Sequence, residues 1–163
     1  MRPMAKAIGA MIFVAGLGAC SIGSRSSTAA VQSAVRDYFE ALNRADPTAI
    51  MEMFSKDPEA TSVMEGDILR GWEAIRLETD KVAGTAGEYH WAPGTMEVVP
   101  LGRDHALVVV PVNITHKSGL GREELAGAST LVLEQKDGKW KVLHEHHSIQ
   151  PEEPENDHDS RRS

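Results

Sequence analysis

Apolar side chains fall at Val31, Ala34, Val35, Tyr38, Phe39 and Leu42, the i, i+3, i+4, i+7 spacing of one helix face. The spacing predicts a first helix, with Ser27 or Thr28 able to cap its start. Asp46-Pro47 reads as the cap and first-turn proline of a second helix, because proline lacks only a donor that would be unpaired there. Ile50, Met53 and Phe54 form its apolar side, and Glu59 to Met64 reads as a short strand. Gly71 to Ala83 predicts a third helix with Trp72, Ile75 and Val82 inward, ended by Gly84 and Gly87. The pattern then changes. Met96 to Leu101 alternates loosely, Gly102-Arg103-Asp104 is a turn, and Ala106 to Thr115 is rich in β-branched residues, as in a long strand. Pro111 cannot donate to a ladder, which predicts a bulge or bend there. After a turn at Gly119 and Gly121, Glu124 to Lys136 and Lys139 to Ile149 read as two strands joined by Asp137-Gly138, a strong hairpin signal. Helices first and antiparallel strands after predict an α+β domain.

A two-residue loop at Asp137-Gly138 fixes the pairing of the last hairpin. Ser129 then faces His146, Leu131 faces His144, Leu133 faces Val142 and Gln135 faces Trp140. These share the face expected to meet the helices, with Ser148 beside them. The other face would carry Thr130, Val132 and Glu134 opposite Glu145, Leu143 and Lys141. Two imidazoles on an otherwise apolar face need hydrogen-bond partners or a ligand. The pairing assumes an unbulged ladder, since a slip of one residue reverses the faces.

The chain has 163 residues, enough for one ordinary domain, and its 25% charged content is that of a globular protein. Its net charge of −7 argues against a nucleic-acid partner, whose phosphates need a basic surface. There is one cysteine, Cys20, so no disulfide can form within the chain. Arg2 and Lys6 precede an uncharged run from Ala7 to Leu17, too short for a membrane span and suited to a signal peptide. Leu17-Gly18-Ala19-Cys20 resembles the lipobox of bacterial lipoproteins. That resemblance implies cleavage before Cys20, acylation of its thiol and anchoring to a lipid bilayer. Ser21 stands where some lipoproteins carry a retention aspartate, which favours the outer membrane in a Gram-negative cell, with the domain facing the periplasm. The expected organisation is a signal peptide over 1–19, a lipidated cysteine and flexible tether over 20–28, a folded domain over 29–149 and a charged disordered tail over 150–163.

The order of elements, carried by YFEALNRADPTAIMEMF, RGWEAIR and GKWKVLHEHHS, resembles the SnoaL-like and ketosteroid isomerase-like branch of the nuclear transport factor 2-like superfamily. The ending is also similar to that of the calmodulin-dependent kinase association domain. The resemblance covers about Val31 to Ser148. It implies a cone: a curved antiparallel sheet wrapped around three N-terminal helices, enclosing a pocket and often dimeric through the sheet. The isomerase uses a tyrosine and a protonated aspartate as oxyanion hole and a second aspartate as base. Tyr38 matches the tyrosine. The base position falls near Val63 or Met64 and the oxyanion aspartate near Ser129, so two of three roles are unmatched. Glu65 or Asp67 could replace the base only from a shifted loop. The resemblance therefore does not imply steroid isomerisation.

These readings place Tyr38, Ser129, Leu131, Trp140, His144 and His146 around a ligand. His144, His146 and Tyr38 are the candidates for acid–base catalysis, against the plainer reading of His144 and His146 as polar pocket lining. An H-x-H pair alone falls short of a metal site, which needs three or four ligands, and no metal or cofactor is expected. The leading expectation is a lipid-anchored domain that binds a small, partly apolar molecule. A non-catalytic assembly module, using Val132 and Leu143 on the outer face, is the alternative, and an acid–base enzyme the third. A cavity of about 300 Å³ or more separates the first from the second.

Overall fold

The computed structural model describes residues 21–64, 66–83, 89–118 and 121–151. The signal peptide, Cys20, Glu65, Gly84, Gly87 and the end of the tail lie outside them.

Helix α1 (Ser21–Asn43) buries Val31, Val35, Tyr38 and Phe39 of the predicted stripe, with Ala34 and Leu42 partly buried beside them, and it also buries Ala41. It begins before the expected cap: the segment expected as a tether is helical backbone from Ser21, and Ser27 and Thr28 lie inside the helix. Once a packed segment has nucleated a helix, adding residues costs little, so the helix extends past its packed stripe. Helix α2 (Pro47–Met53) starts as predicted, with the Asp46 carboxylate accepting from the Ala49 N–H at 3.0 Å. Helix α3 (Trp72–Ala83) turns Ile75 inward.

Two short strands precede α3, β1 (Thr61–Met64) and β2 (Asp67–Arg70). After it come β3 (Tyr89–Pro93), β4 (Glu97–Pro100), β5 (His105–Ser118), β6 (Gly121–Lys136) and β7 (Lys139–Pro151). Strands β2 and β3 were not expected; each is short and carries a mixed pattern. The sheet runs β2-β1-β7-β6-β5-β3, with β4 also on β5. Its pairs are antiparallel, as expected, except β1 with β7, which is parallel. Strand β7 also runs to Pro151, paired with Leu125, so Gln150 and Pro151 belong to the sheet rather than the tail.

Pro111 produces no bulge, since β5 and β6 keep one register from His105↔Glu134 to Ser118↔Gly121. The Pro111 carbonyl accepts from Gly94 at 2.8 Å, so its nitrogen points the same way, toward the gap between β3 and β4. No ladder donor is needed there. The core lies between α1–α3 and the inner face of the sheet, where Val108, Val110, Val112 and Ile114 of β5 meet Leu131 and Leu133 of β6.

The predicted hairpin forms as expected at its tip. Asp137 and Gly138 both have positive φ, 51° and 75°, and Leu133↔Val142 and Gln135↔Trp140 pair as predicted. Between Leu133 and Val132 the register shifts by a β-bulge, and beyond it Val132 pairs with His144 and Ser129 with His147. The bulge falls where β7 changes its other neighbour, from an isolated bridge at Phe54↔Val142 to the β1 pair Thr61↔His144. From that point every side chain of β7 lies on the face opposite to the one expected.

Candidate functional site

The reversal brings Glu145 and His147 inward. Glu145 is 5% exposed and His147 is 1% exposed. His146 and Ser148 point outward and are exposed, and His144 is half-buried with its Nδ1 2.6 Å from Thr61 Oγ1. The expected placement of His144 and His146 on the cavity is thus corrected, for the physical reason given by the bulge. His144 titrates below its ordinary value because of partial burial and then the charge of His146, with Glu145 pulling the other way.

Glu145 is the centre of a polar network. The hydroxyl of Tyr38 on α1 donates to Oε2, and Ser62 of β1 donates to Oε1 at 2.6 Å. His147 Nε2 lies 3.2 Å from Oε2, while His147 Nδ1 lies 2.7 Å from Ser129 Oγ on β6. Burial pushes the Glu145 carboxyl up, but the charge of His147 and the hydrogen bonds from His147, Ser62 and Tyr38 together outweigh it. The net effect holds the group below its ordinary range. Tyr38 is pushed well above its ordinary value by burial first, then by the charge of Glu145 and the bond to it. Glu145 is therefore a carboxylate at neutral pH, and Tyr38 keeps the proton it donates.

The members come from four elements, α1, β1, β6 and β7. Tyr38 lies on the buried stripe of α1, against Phe39 and Phe54. Ser62 reaches Glu145 because parallel pairing sets it opposite that residue. Trp91 of β3 packs 5.1 Å from the His147 ring. The Asn43 side chain at the end of α1 holds the Trp91 backbone at both ends, accepting from its N–H at 2.7 Å and donating to its carbonyl at 2.9 Å.

The network opens on a cavity of about 370 Å³ between the helices and the sheet. Its polar end is Tyr38, Ser62, Glu145 and His147, and its walls are largely apolar, with Phe54, Ile75, Trp91 and Ile114 among them. Of the six residues expected around the ligand, only Tyr38 is on this wall. Ser129 is buried behind His147, so it can hold the imidazole but cannot touch a ligand directly. Leu131 and Trp140 are core side chains away from the cavity, and the Trp140 indole N–H has no partner among the described residues. No cluster of metal-ligating side chains occurs among the described residues.

The SnoaL-like domain family matches residues 31–152. No curated protein is significantly similar in sequence. Among solved structures, a protein of cystatin-like fold from Caulobacter vibrioides is 24% identical, with a TM-score of 0.64 over 77% of this chain and 90% of that one. A candidate scytalone dehydratase from Novosphingobium aromaticivorans is 16% identical, with a TM-score of 0.70 over 78% of this chain and 87% of that one. A nuclear transport factor 2-like superfamily protein from Salmonella enterica is 17% identical, with a TM-score of 0.67 over 82% of this chain and 98% of that one. These likenesses establish the fold.

Proposed function

Because the chain belongs to the SnoaL-like domain family, a fold whose helices and curved sheet enclose a cavity, we propose that it binds a small, largely apolar molecule there. The molecule's polar end meets Tyr38, Ser62 and Glu145. The observation that carries this reading is an almost fully buried carboxyl, facing Tyr38, Ser62 and His147, on the wall of a cavity of about 370 Å³. A charge is costly to bury unless function or full pairing requires it, and the volume exceeds the roughly 300 Å³ of small-molecule sites. An assembly module has no need of that space. The sequence of residues 1–20 adds the location: the domain is exported and held to a membrane by lipid on Cys20.

The test is native mass spectrometry of the full chain recovered from a bacterial envelope. A reproducible small-molecule adduct is expected. It should persist in His146→Ala, whose side chain points outward, and be lost in Trp91→Ala, which removes part of the cavity wall. An adduct indifferent to Trp91 would refute the assignment to this cavity. A clean apo mass together with a stable dimer would favour assembly through the sheet.

Acid–base catalysis is a second reading, favoured by the contact between His147 and Glu145 at 3.2 Å and by the structural likeness to a candidate dehydratase. Glu145 would orient the imidazole and stabilise its charged form. Both ring nitrogens are engaged, by Ser129 and Glu145, so one of those bonds would have to open before His147 could exchange a proton with a substrate.

A further inference from the structure

Resting on that reading of the cavity, we propose that its ligand carries a protonated amine at one end of an apolar body. The donors of the polar network converge on Glu145. Tyr38 and Ser62 spend their hydroxyl protons on Glu145. With Glu145 ionised, His147 Nε2 must carry a proton to face Oε2, and Nδ1 is occupied by Ser129 whichever of the two donates. The imidazole therefore presents neither a free donor nor a free acceptor. A carboxylate has about four lone-pair positions, and three are taken here. What remains for a ligand is the last lone pair of Glu145 and the oxygens of Tyr38 and Ser62. All three accept, and none donates.

The rest of the wall agrees. Glu145 and Glu78 line the cavity, the Glu78 carboxylate being paired with Lys81 at 2.7 Å, and among the described residues neither Lys nor Arg is on its wall. Thr79, on the same wall, donates its hydroxyl proton to the Ile75 carbonyl at 2.9 Å. Among the described residues the remaining side-chain donors on the wall are the Tyr89 hydroxyl and the Trp91 indole N–H, both neutral, and no Lys or Arg stands beside them to hold a carboxylate or phosphate. Tyr38, Phe54, Tyr89 and Trp91 put four aromatic rings around the space, and such faces attract an ammonium. An ammonium group brings three donors and no acceptor, which complements this end of the cavity. An alcohol brings one donor and no charge.

The experiment compares three probes with one apolar body on the full chain at neutral pH: cyclohexylmethylamine, cyclohexylmethanol and cyclohexanecarboxylate. Their aliphatic ring leaves the tryptophan signal unobscured, so calorimetry and tryptophan fluorescence, to which Trp91 on the cavity wall contributes, can both be read. The amine should bind at least about tenfold more tightly than the other two. In Glu145→Gln that advantage should shrink to the level of the alcohol. A carboxylate or alcohol that binds wild type as tightly as the amine would overturn the amine assignment and leave the cavity reading standing. Failure of all three to bind would overturn the cavity reading as well. Should Glu145→Gln not fold, the wild-type ranking decides alone.

Discussion

Glu145 shows how one side chain is held charged inside an apolar domain. Three donors on three elements compensate its burial, so removing the acceptor leaves Tyr38, Ser62 and His147 facing nothing. Glu145→Ala should cost about 3–5 kcal/mol, the range for breaking a buried charge network, read from denaturant unfolding. His146→Ala, on the outer face, should stay within about 0.5 kcal/mol of wild type. The Glu145 network also sets an acid limb. The carboxyl titrates lower in the folded chain than its ordinary value of 4.5. The unfolded chain therefore takes up the proton first as pH falls. The stabilisation is fully present above about pH 4.5 and is lost as pH drops through the folded value. Acid unfolding followed by circular dichroism should show this limb in wild type and a shallower one in Glu145→Gln. An unchanged limb would remove Glu145 from the account.

At the scale of elements, the bulge in β7 decides which residues form the site. The Asp137-Gly138 turn fixes the pairing only as far as Val142, and the bulge follows from what β7 meets beyond it. Trp140 and Val142 are apolar at even positions, and Ile149 is apolar at an odd one. All three turn toward the helix side, so the alternation must change phase between Val142 and Ile149. Alternation could not place the change because HEHHS is polar at every position, leaving no hydrophobic contrast to mark a face. The same strand approaches β6 closely at Gly127. A Cβ there would stand 2.1 Å from the Ser148 carbonyl oxygen, a contact with backbone that cannot rotate away. Gly127→Ala should therefore destabilise the domain by about 3 kcal/mol, the upper part of the range for overpacking, as measured by thermal or denaturant unfolding. A neutral substitution would mean that β7 can move as a unit without disturbing Glu145 and His147, two and zero residues from the Ser129 pair it serves.

At the scale of the whole molecule, the cavity exists because short elements close both flanks of the sheet. The β1–β2 hairpin supplies Ser62, Met64 and Leu69 on one side, and β3 supplies Tyr89 and Trp91 on the other. Cys20 carries the prediction that belongs to this scale. Cells fed a labelled fatty acid should incorporate it into the full chain and not into Cys20→Ser, which should instead leave the membrane fraction. Label retained in Cys20→Ser would refute the anchor.

Some features of this protein are local, and the sequence by itself determined them. The buried stripe of α1, the Asp46-Pro47 start of α2 and the Asp137-Gly138 turn each depend on neighbours within a few residues. So does the contrast between a helix-rich first half and a strand-rich second half, which marks the α+β class. The site was decided by tertiary structure. Glu145 finds Tyr38 across 107 residues of chain and Ser62 across 83. Which face of β7 meets them depends on a bulge fixed by the exchange of Phe54 for β1 along its edge. Alternation gives a strand two equivalent faces, and where both carry polar residues, packing against distant elements selects between them.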